Sequence, residues 1–218
     1  MTDQTQQSPD TKNRILDAAE MLFAEKGFDA TSLRMITAAA QVNLAAVNYH
    51  FQSKEALLQA VYARRAGPVN ERRLELLTAY ENSGSPPAVE PVLDALMRPL
   101  FEVGSERECV PRLMVRLLYL DAKETSRAVF AAQFQEIFRR FHAAFRRALP
   151  HLPEQELFLR MQFVVGALAN TMASMKNLHA LSQGQTEGAV SAKTLQWLIQ
   201  FTAAGLRAPA SEDSACVS

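Results

Sequence analysis

In residues 31–54, TSLRMITAAAQVNLAAVNYHFQSK, helix-capping residues recur so closely that any helices there must be short. Thr31 or Ser32 can cap a helix carrying Leu33, Ile36 and Ala40, because a hydroxyl oxygen accepts from first-turn amides that have no partner within the helix. After Gln41 and Val42, Asn43 can cap another, running from Leu44 to about His50. Two short helices joined by about three residues, with small Ala38 to Ala40 near the crossing and Val42 in the turn, meet the requirement of a helix-turn-helix, which is close approach at a fixed angle.

The second of these helices can turn Asn43, Ala45, Ala46, Asn48 and Tyr49 outward. Amides can read an adenine edge through paired hydrogen bonds, alanine methyls can meet thymine methyls, and hydroxyls and Lys54 can bind phosphate oxygens. No Asp or Glu falls between Ala30 and Lys54, whereas Arg34, Lys54 and His50 are basic. A solvated helical hairpin is the plain alternative at this point.

The rest of the chain reads as helix with clear punctuation. Residues 1–8 are polar and expected to be disordered up to Ser8, which can cap a helix beginning at Pro9. That helix carries Ile15, Ala19, Leu22 and Phe23, and Gly27 follows it as a left-handed cap would. Ser53 can cap a fourth helix with Leu57, Leu58, Val61 and Tyr62 on one stripe. Gly67 and Pro68 interrupt it, yet Leu74, Leu76 and Leu77 continue the pattern, so a kink is expected rather than a stop. Asn82 to Pro91 is a linker. Further helices are expected at 90–103, 110–120, 124–149, 153–181 and 190–207, the last carrying Leu195, Leu198, Ile199, Thr202 and Leu206. The tail 208–218 is expected to be loose. Period-two alternation and hairpin turns are absent, so the expected class is all-α.

Composition narrows the function. A chain of 218 residues, 48% hydrophobic and 21% charged, can bury a core, and eight glycines favour helix. Lys and Arg total 23, balanced by 23 Asp and Glu, which argues against binding nucleic acid or membrane by bulk charge. Cys109 and Cys216 are too few for a disulfide framework, and a reducing cytoplasm is the expected compartment. The stretch Phe163 to Met175 is interrupted by Asn170, flanked by Arg160 and Lys176, and short of the ~20 apolar residues that span a bilayer, so no membrane partner is expected. Nucleophile elbows, phosphate-cradling loops and zinc spacings are missing, and His50, His142, His151 and His179 are never one helical turn apart. No catalytic residue, metal or cofactor is expected, and the chain is not read as an enzyme.

In the second half, Phe134, Phe138, Phe141 and Phe145 form a stripe beside Arg139, Arg140, Arg146 and Arg147, as a core helix or the wall of a ligand pocket would. Arg112 and Arg116 sit one turn apart on a helix rich in Leu, Met and Val. Turned inward they need a partner, and Asp121 or Glu102 is favoured over a ligand carboxylate or phosphate. The helix from Pro153 to Leu181 has one stripe of Met161, Val165, Leu168, Met172 and Met175 and another face of Gly166, Ala169, Asn170 and Ala173. A helix apolar nearly all round must be covered on both sides, by its own domain and by a partner.

The string ILDAAEMLFAEKGFDATSLRMITAAAQVNLAAVNYHFQSKEAL, residues 15–57, resembles the DNA-binding domain of the TetR family of bacterial transcriptional regulators. The marks are AA-x-x-LF-x-x-x-G-F in the first helix, T-S-x-x-x-I in the second, and the Y-H-F-x-S-K-E-x-L ending. The variant VNLAAVNYHF resembles the PsrA-like branch, which regulates fatty-acid metabolism and responds to long-chain fatty acids.

The resemblance implies a division into a DNA-binding domain at 9–53 and a helical effector-binding and dimerisation domain at 54–207. It implies phosphate contacts from Thr31, Ser32, Tyr49, His50 and Lys54, with Arg34 beside them, and base contacts from Asn43, Leu44, Ala45, Ala46 and Asn48. The family usually has Gly in the turn where this chain has Gln41. A ligand cavity would be lined by Leu96, Leu100, Leu117, Phe134, Phe138, Met161, Val165 and Met172, with Arg116 as a possible anchor. A C2 dimer would pair the last two long helices through Gly166, Ala169, Asn170, Ala173, Leu198 and Thr202. The implied partners are operator DNA, a second copy of the chain and a small apolar effector, and the implied function is a repressor released from a pseudo-palindromic operator by that effector. A ligand-independent regulator, or a helical adaptor or enzyme, is the alternative.

Overall fold

Ile15, Ala19, Leu22 and Phe23 recur every three or four positions, and in the computed structural model, which describes residues 9–102 and 124–210, they line the buried side of α1, Pro9–Lys26. Gly27 ends the helix at φ 84°, its amide donating to the Phe23 carbonyl over 3.0 Å. This is the left-handed residue expected there, in a conformation that costs glycine little.

Then follow α2, Leu33–Ala40, α3, Leu44–Phe51, and α4, Lys54–Glu81, with Pro68 inside α4. The long apolar pattern outlasts the hydrogen bond that proline removes, so the helix continues. Past the linker come α5, Val89–Glu102, α6, Glu124–Ala148, α7, Glu154–Leu181, and α8, Ala192–Arg207. Ser191 caps α8 in a reciprocal box with Thr194. These eight helices, with no strand among the described residues, make the fold all-α. Among the described residues, no helix is long and apolar enough to cross a membrane. The tails at 1–8 and 211–218, Ser8, Cys109, Cys216, the helix expected at 110–120 with Arg112, Arg116 and Leu117, and Asp121 lie outside the described residues.

The described residues pack as two compact units, 9–68 with 124–135, and 69–102 with 136–210. The first core joins Ile15, Ala19 and Phe23 of α1 to Ile36, Val47, Phe51, Leu57, Val61 and Tyr62, with Val129 of α6 among them. Glu20 is buried at its edge, accepting from Arg64 Nη2 and Arg65 Nε, each over 2.7 Å. A carboxylate withdrawn from water this far needs such partners. The second core joins Leu77, Leu93, Met97, Phe141, Phe145, Leu149 and Leu157 to Leu195, Leu198 and Leu206 of α8.

Two expected stripes are corrected. Phe141 and Phe145 are buried in the second core, but Phe138 is half exposed and stacked with His142 and Phe158, and Phe134 packs against the core of the first unit. The stripe is continuous in sequence and divided in space because α6 serves both units. On α7 the buried positions are Leu157, Arg160, Met161, Val164 and Leu168, so the stripe is rotated from the one expected, and Val165, Met172 and Met175 are only half-buried.

Candidate nucleic-acid interface

Local hydrogen bonds define both short helices. Ser32, at φ −98° and ψ 155°, caps α2 by accepting from the Met35 amide over 3.2 Å. Asn43, at φ −87° and ψ 166°, caps α3 by accepting from the Ala46 amide over 2.9 Å. Between them Gln41 is left-handed, at φ 53° and ψ 48°, and the amides of Gln41 and Val42 donate to Ala38 and Thr37 carbonyls over 3.2 and 3.0 Å. A side chain at such a φ costs ~1 kcal/mol relative to glycine. Gln41→Gly is therefore expected to raise the melting temperature by about 2–4 °C with operator binding retained. Thermal denaturation checks it, and a lower melting temperature would show that the turn gains more from the side chain than it loses to strain.

The turn is also pinned from outside. Arg14 Nη2, from α1, donates to the Ala40 and Gln41 carbonyls over 2.6 and 3.0 Å. A cation at the C-terminus of α2 satisfies carbonyls that have no amide of their own and complements the helix dipole. Arg14 was not anticipated, since its partners lie 26 and 27 residues away in the chain.

Packing sets which side of α3 faces out. Ile36 and Ala40 of α2, with Ala46, Val47 and Phe51 of α3, enter the first core. That leaves Asn43, Leu44, Ala45, Asn48 and Tyr49 exposed, with His50 half-buried and edge-on to the Tyr49 ring at 5.1 Å between centroids. Ser32 and Arg34 of α2 are exposed as well. Lys54 begins α4 with its Nζ 4.2 Å from the centre of the Phe28 ring, a cation–π contact that leaves the side chain half-buried.

Two expected contacts are corrected. Ala46 is buried, because the phase of α3 turns it toward α2, so its methyl is not presented to a base. Thr31 is 0% exposed, and its hydroxyl donates to the Gly27 carbonyl over 2.7 Å and the Leu22 carbonyl over 3.2 Å. It ties the end of α1 to the start of α2 instead of reaching phosphate.

Among the residues expected to line a ligand cavity, Leu96, Leu100, Met161 and Met172 share the second core and Val165 is half-buried. Phe134 and Phe138 do not join them, for the reasons given above. Arg116 and Leu117 lie outside the described residues. An open groove of about 400 Å³ between Tyr80, Val92, Ala144 and Arg147 uses none of the expected lining residues.

The expected dimer contacts are corrected in part. Leu198 and Thr202 are buried within the chain's own core, the Thr202 hydroxyl donating to the Leu198 carbonyl over 2.7 Å. Gly166 and Ala169 are half-buried, and Asn170 and Ala173 exposed. Among the large apolar groups left outside are Leu159 and Phe163 of α7 and Trp197 and Phe201 of α8, with Phe163 67% and Phe201 73% exposed.

Comparison with known proteins agrees with this architecture. Residues 15–61 match the model for bacterial regulatory proteins of the tetR family, and residues 94–205 match that for the tetracyclin repressor-like C-terminal domain. The chain is 41% identical over 58 residues to the HTH-type transcriptional regulator UidR of Escherichia coli (strain K12), covering 27% of this chain and 29% of that protein. It thus spans under a third of the length of the curated relatives it matches. SmeT, the repressor of the Stenotrophomonas maltophilia multidrug efflux pump SmeDEF, is 24% identical with a TM-score of 0.60, over 92% of this chain and 91% of that one. SmeT has also been solved with triclosan. The fatty acid degradation regulator FadR from Bacillus halodurans is 18% identical with a TM-score of 0.62, over 92% of this chain and 97% of that one. The two structures share the fold. With one family model over α1–α3 and another over half of the chain beyond them, the protein belongs to the TetR family of transcriptional regulators, and its helix-turn-helix is the DNA-binding domain.

Proposed function

We propose that the protein is a dimeric repressor whose two α3 helices enter successive major grooves of a pseudo-palindromic operator, about one helical turn apart. The observation that carries this reading is the outward face of α3. Asn43, Leu44, Ala45, Asn48 and Tyr49 stand on a helix capped by Asn43, which follows an α2 capped by Ser32 and held at its C-terminus by Arg14, in a segment without a carboxylate. Ser32, Arg34, His50 and Lys54 flank it as phosphate ligands, while Asn48 and Asn43 offer amides to base edges. The effector is a long-chain fatty acid or its coenzyme A ester, a reading supported by the likeness of VNLAAVNYHF to the PsrA-like branch. Ligand binding favours a state in which the two recognition helices no longer match the groove spacing. A few kcal/mol of differential affinity between the states is enough for release.

Dimerisation is supported by Leu159, Phe163, Trp197 and Phe201, which would otherwise stay in water. Burying them against their symmetry mates is favourable at about 25 cal/mol per Å². Phe163→Glu is expected to give a monomer at micromolar concentration by sedimentation and to lose the operator shift, since one helix-turn-helix makes only half of the contacts. A dimer that survives would place the interface elsewhere.

The whole reading is tested by a mobility shift on DNA from upstream of the protein's own gene, titrated with salt and then with long-chain fatty acids. Binding is expected to weaken steeply as salt rises, because each phosphate contact releases counterions. It is expected to be lost again on adding fatty acid. A shift that ignores salt argues against operator recognition, and one that ignores every acid argues for a ligand-independent regulator.

A further inference from the structure

Arg14 of α1 holds the two carbonyls that flank the one left-handed residue of the helix-turn-helix. The Ala40 carbonyl lies in the peptide plane before Gln41, and the Gln41 carbonyl in the plane after it. The φ and ψ of Gln41, 53° and 48°, are the only soft angles between those two planes. Nη2 carries two hydrogens in the rigid plane of the guanidinium and donates to both carbonyls, over 2.6 and 3.0 Å. One nitrogen from another helix therefore clamps both angles at once. A side chain kept at positive φ relaxes unless its surroundings over-determine it, and here the clamp supplies that constraint.

The clamp lies next to the recognition helix. Only Val42 separates Gln41 from Asn43, whose side chain caps α3 by accepting from the Ala46 amide. The other hold on α3 is the burial of Ala46, Val47 and Phe51 in the first core. Apolar contact is non-directional, so it chooses the buried face but fixes the angle of entry poorly. Reading a base edge needs donors and acceptors placed to within about 0.5 Å and 10–20°. Phosphate contacts are more tolerant, because they carry no sequence information and are largely electrostatic.

We infer that Arg14 is a positioning residue for sequence recognition: by clamping Gln41 it sets the angle at which α3 presents Asn48 and its neighbours to the bases. The inference rests on the proposed operator recognition and adds the residue that aims the helix, without itself touching DNA.

The test compares the wild type with Arg14→Met, Arg14→Lys and the double variant Arg14→Met with Gln41→Gly. Each is titrated by mobility shift, at several salt concentrations, with the duplex from upstream of the protein's own gene and with a scrambled duplex of equal length and composition. Arg14→Met is expected to lose about 10- to 100-fold in affinity for the upstream duplex, the range for one displaced paired base contact. Its affinity for the scrambled duplex is expected to stay within about twofold of the wild type, and its salt dependence to be unchanged, since no phosphate contact is removed. Lysine is expected to restore part of the loss, because it keeps the charge but not the planar fork. Glycine at position 41 is expected to restore part of it too, since glycine takes the left-handed turn without a clamp.

Weakening of both duplexes alike with a shallower salt dependence would make Arg14 a phosphate ligand and overturn its positioning role. Full wild-type affinity in Arg14→Met would overturn it as well, leaving the turn to packing alone. If the methionine variant fails to fold, Arg14→Lys carries the comparison: a loss confined to the upstream duplex supports the role, and undiminished discrimination overturns it. A wild type that binds both duplexes equally overturns the operator reading together with the inference.

Discussion

Asn48→Ala is expected to weaken operator binding at least thirty-fold with no loss of thermal stability. The side chain is exposed on the outward face of α3, between Ala45 and Tyr49, and α3 is held in place by residues of its opposite face. An amide that reads an adenine edge with two hydrogen bonds is worth about 1–3 kcal/mol of discrimination, and a dimer presents it twice, so about 2–6 kcal/mol is at stake. Each 1.4 kcal/mol is about tenfold in affinity. Alanine is the better helix former and removes no packing at an exposed site, so a loss of binding cannot be ascribed to unfolding. The measurement is a mobility shift at fixed salt, accompanied by a thermal melt. Unchanged affinity would remove Asn48 from the base contacts and shift attention to Asn43 and Tyr49. Its salt dependence should stay as in the wild type, because no phosphate contact is lost.

Arg160→Met is expected to lower the melting temperature by about 6–20 °C. One side chain closes the end of α8. Nη1 donates to the carbonyls of Gly205, Leu206 and Ala208 over 3.1, 2.9 and 2.6 Å, and Nη2 donates to that of Pro209 over 2.7 Å. Nε meets Glu156 Oε1 at 3.1 Å, one turn back on α7. The last carbonyls of a helix have no amide to receive, and a cation there also complements the dipole. Methionine keeps much of the volume and none of the donors. It would strand those carbonyls and leave Glu156 without its ion pair, which for a buried pair costs about 3–5 kcal/mol. Circular dichroism on heating is the check. An unchanged melt would mean that the end of α8 is held by its apolar contacts alone. Trp197 and Phe201 lie on the same helix, so the dimer should weaken together with the fold.

Where the determinants were local, the helices were legible. Ser32 and Asn43 cap and Gly27 terminates, as read from the chain, because each depends on hydrogen bonds spanning a few residues. Pro68 interrupts without ending α4, as the apolar pattern on both sides of it requires. The orientation of α3 was less legible. Ala46 and Ala45 are chemically identical neighbours, and only contact with α2 sends one inward and leaves the other outside. Thr31 and Ser32 are both competent caps, yet Thr31 is drawn into the core by the carbonyls of Gly27 and Leu22. Arg14 and Arg160 carry no local signal of their roles, since each acts through a carbonyl far along the chain.

The apolar helices of the second unit make the same division. Periodicity identified α7 and α8 and required that something cover them on more than one side. It could not choose between Leu198 with Thr202, which are inside the chain's own core, and Trp197 with Phe201, which are outside it. Adjacent residues on a helix point about 100° apart, and the rotation of the helix against its neighbours decides which is buried. Four aromatic residues of α6 looked like one wall for a similar reason. Sequence by itself determined where the described helices begin and end to within about two residues, that the family's DNA-binding motif is present, and that no acidic group interrupts it. Tertiary structure alone decided which face each helix shows and which charges are shut away from water, because burial is set by surfaces that the chain brings together from distant positions.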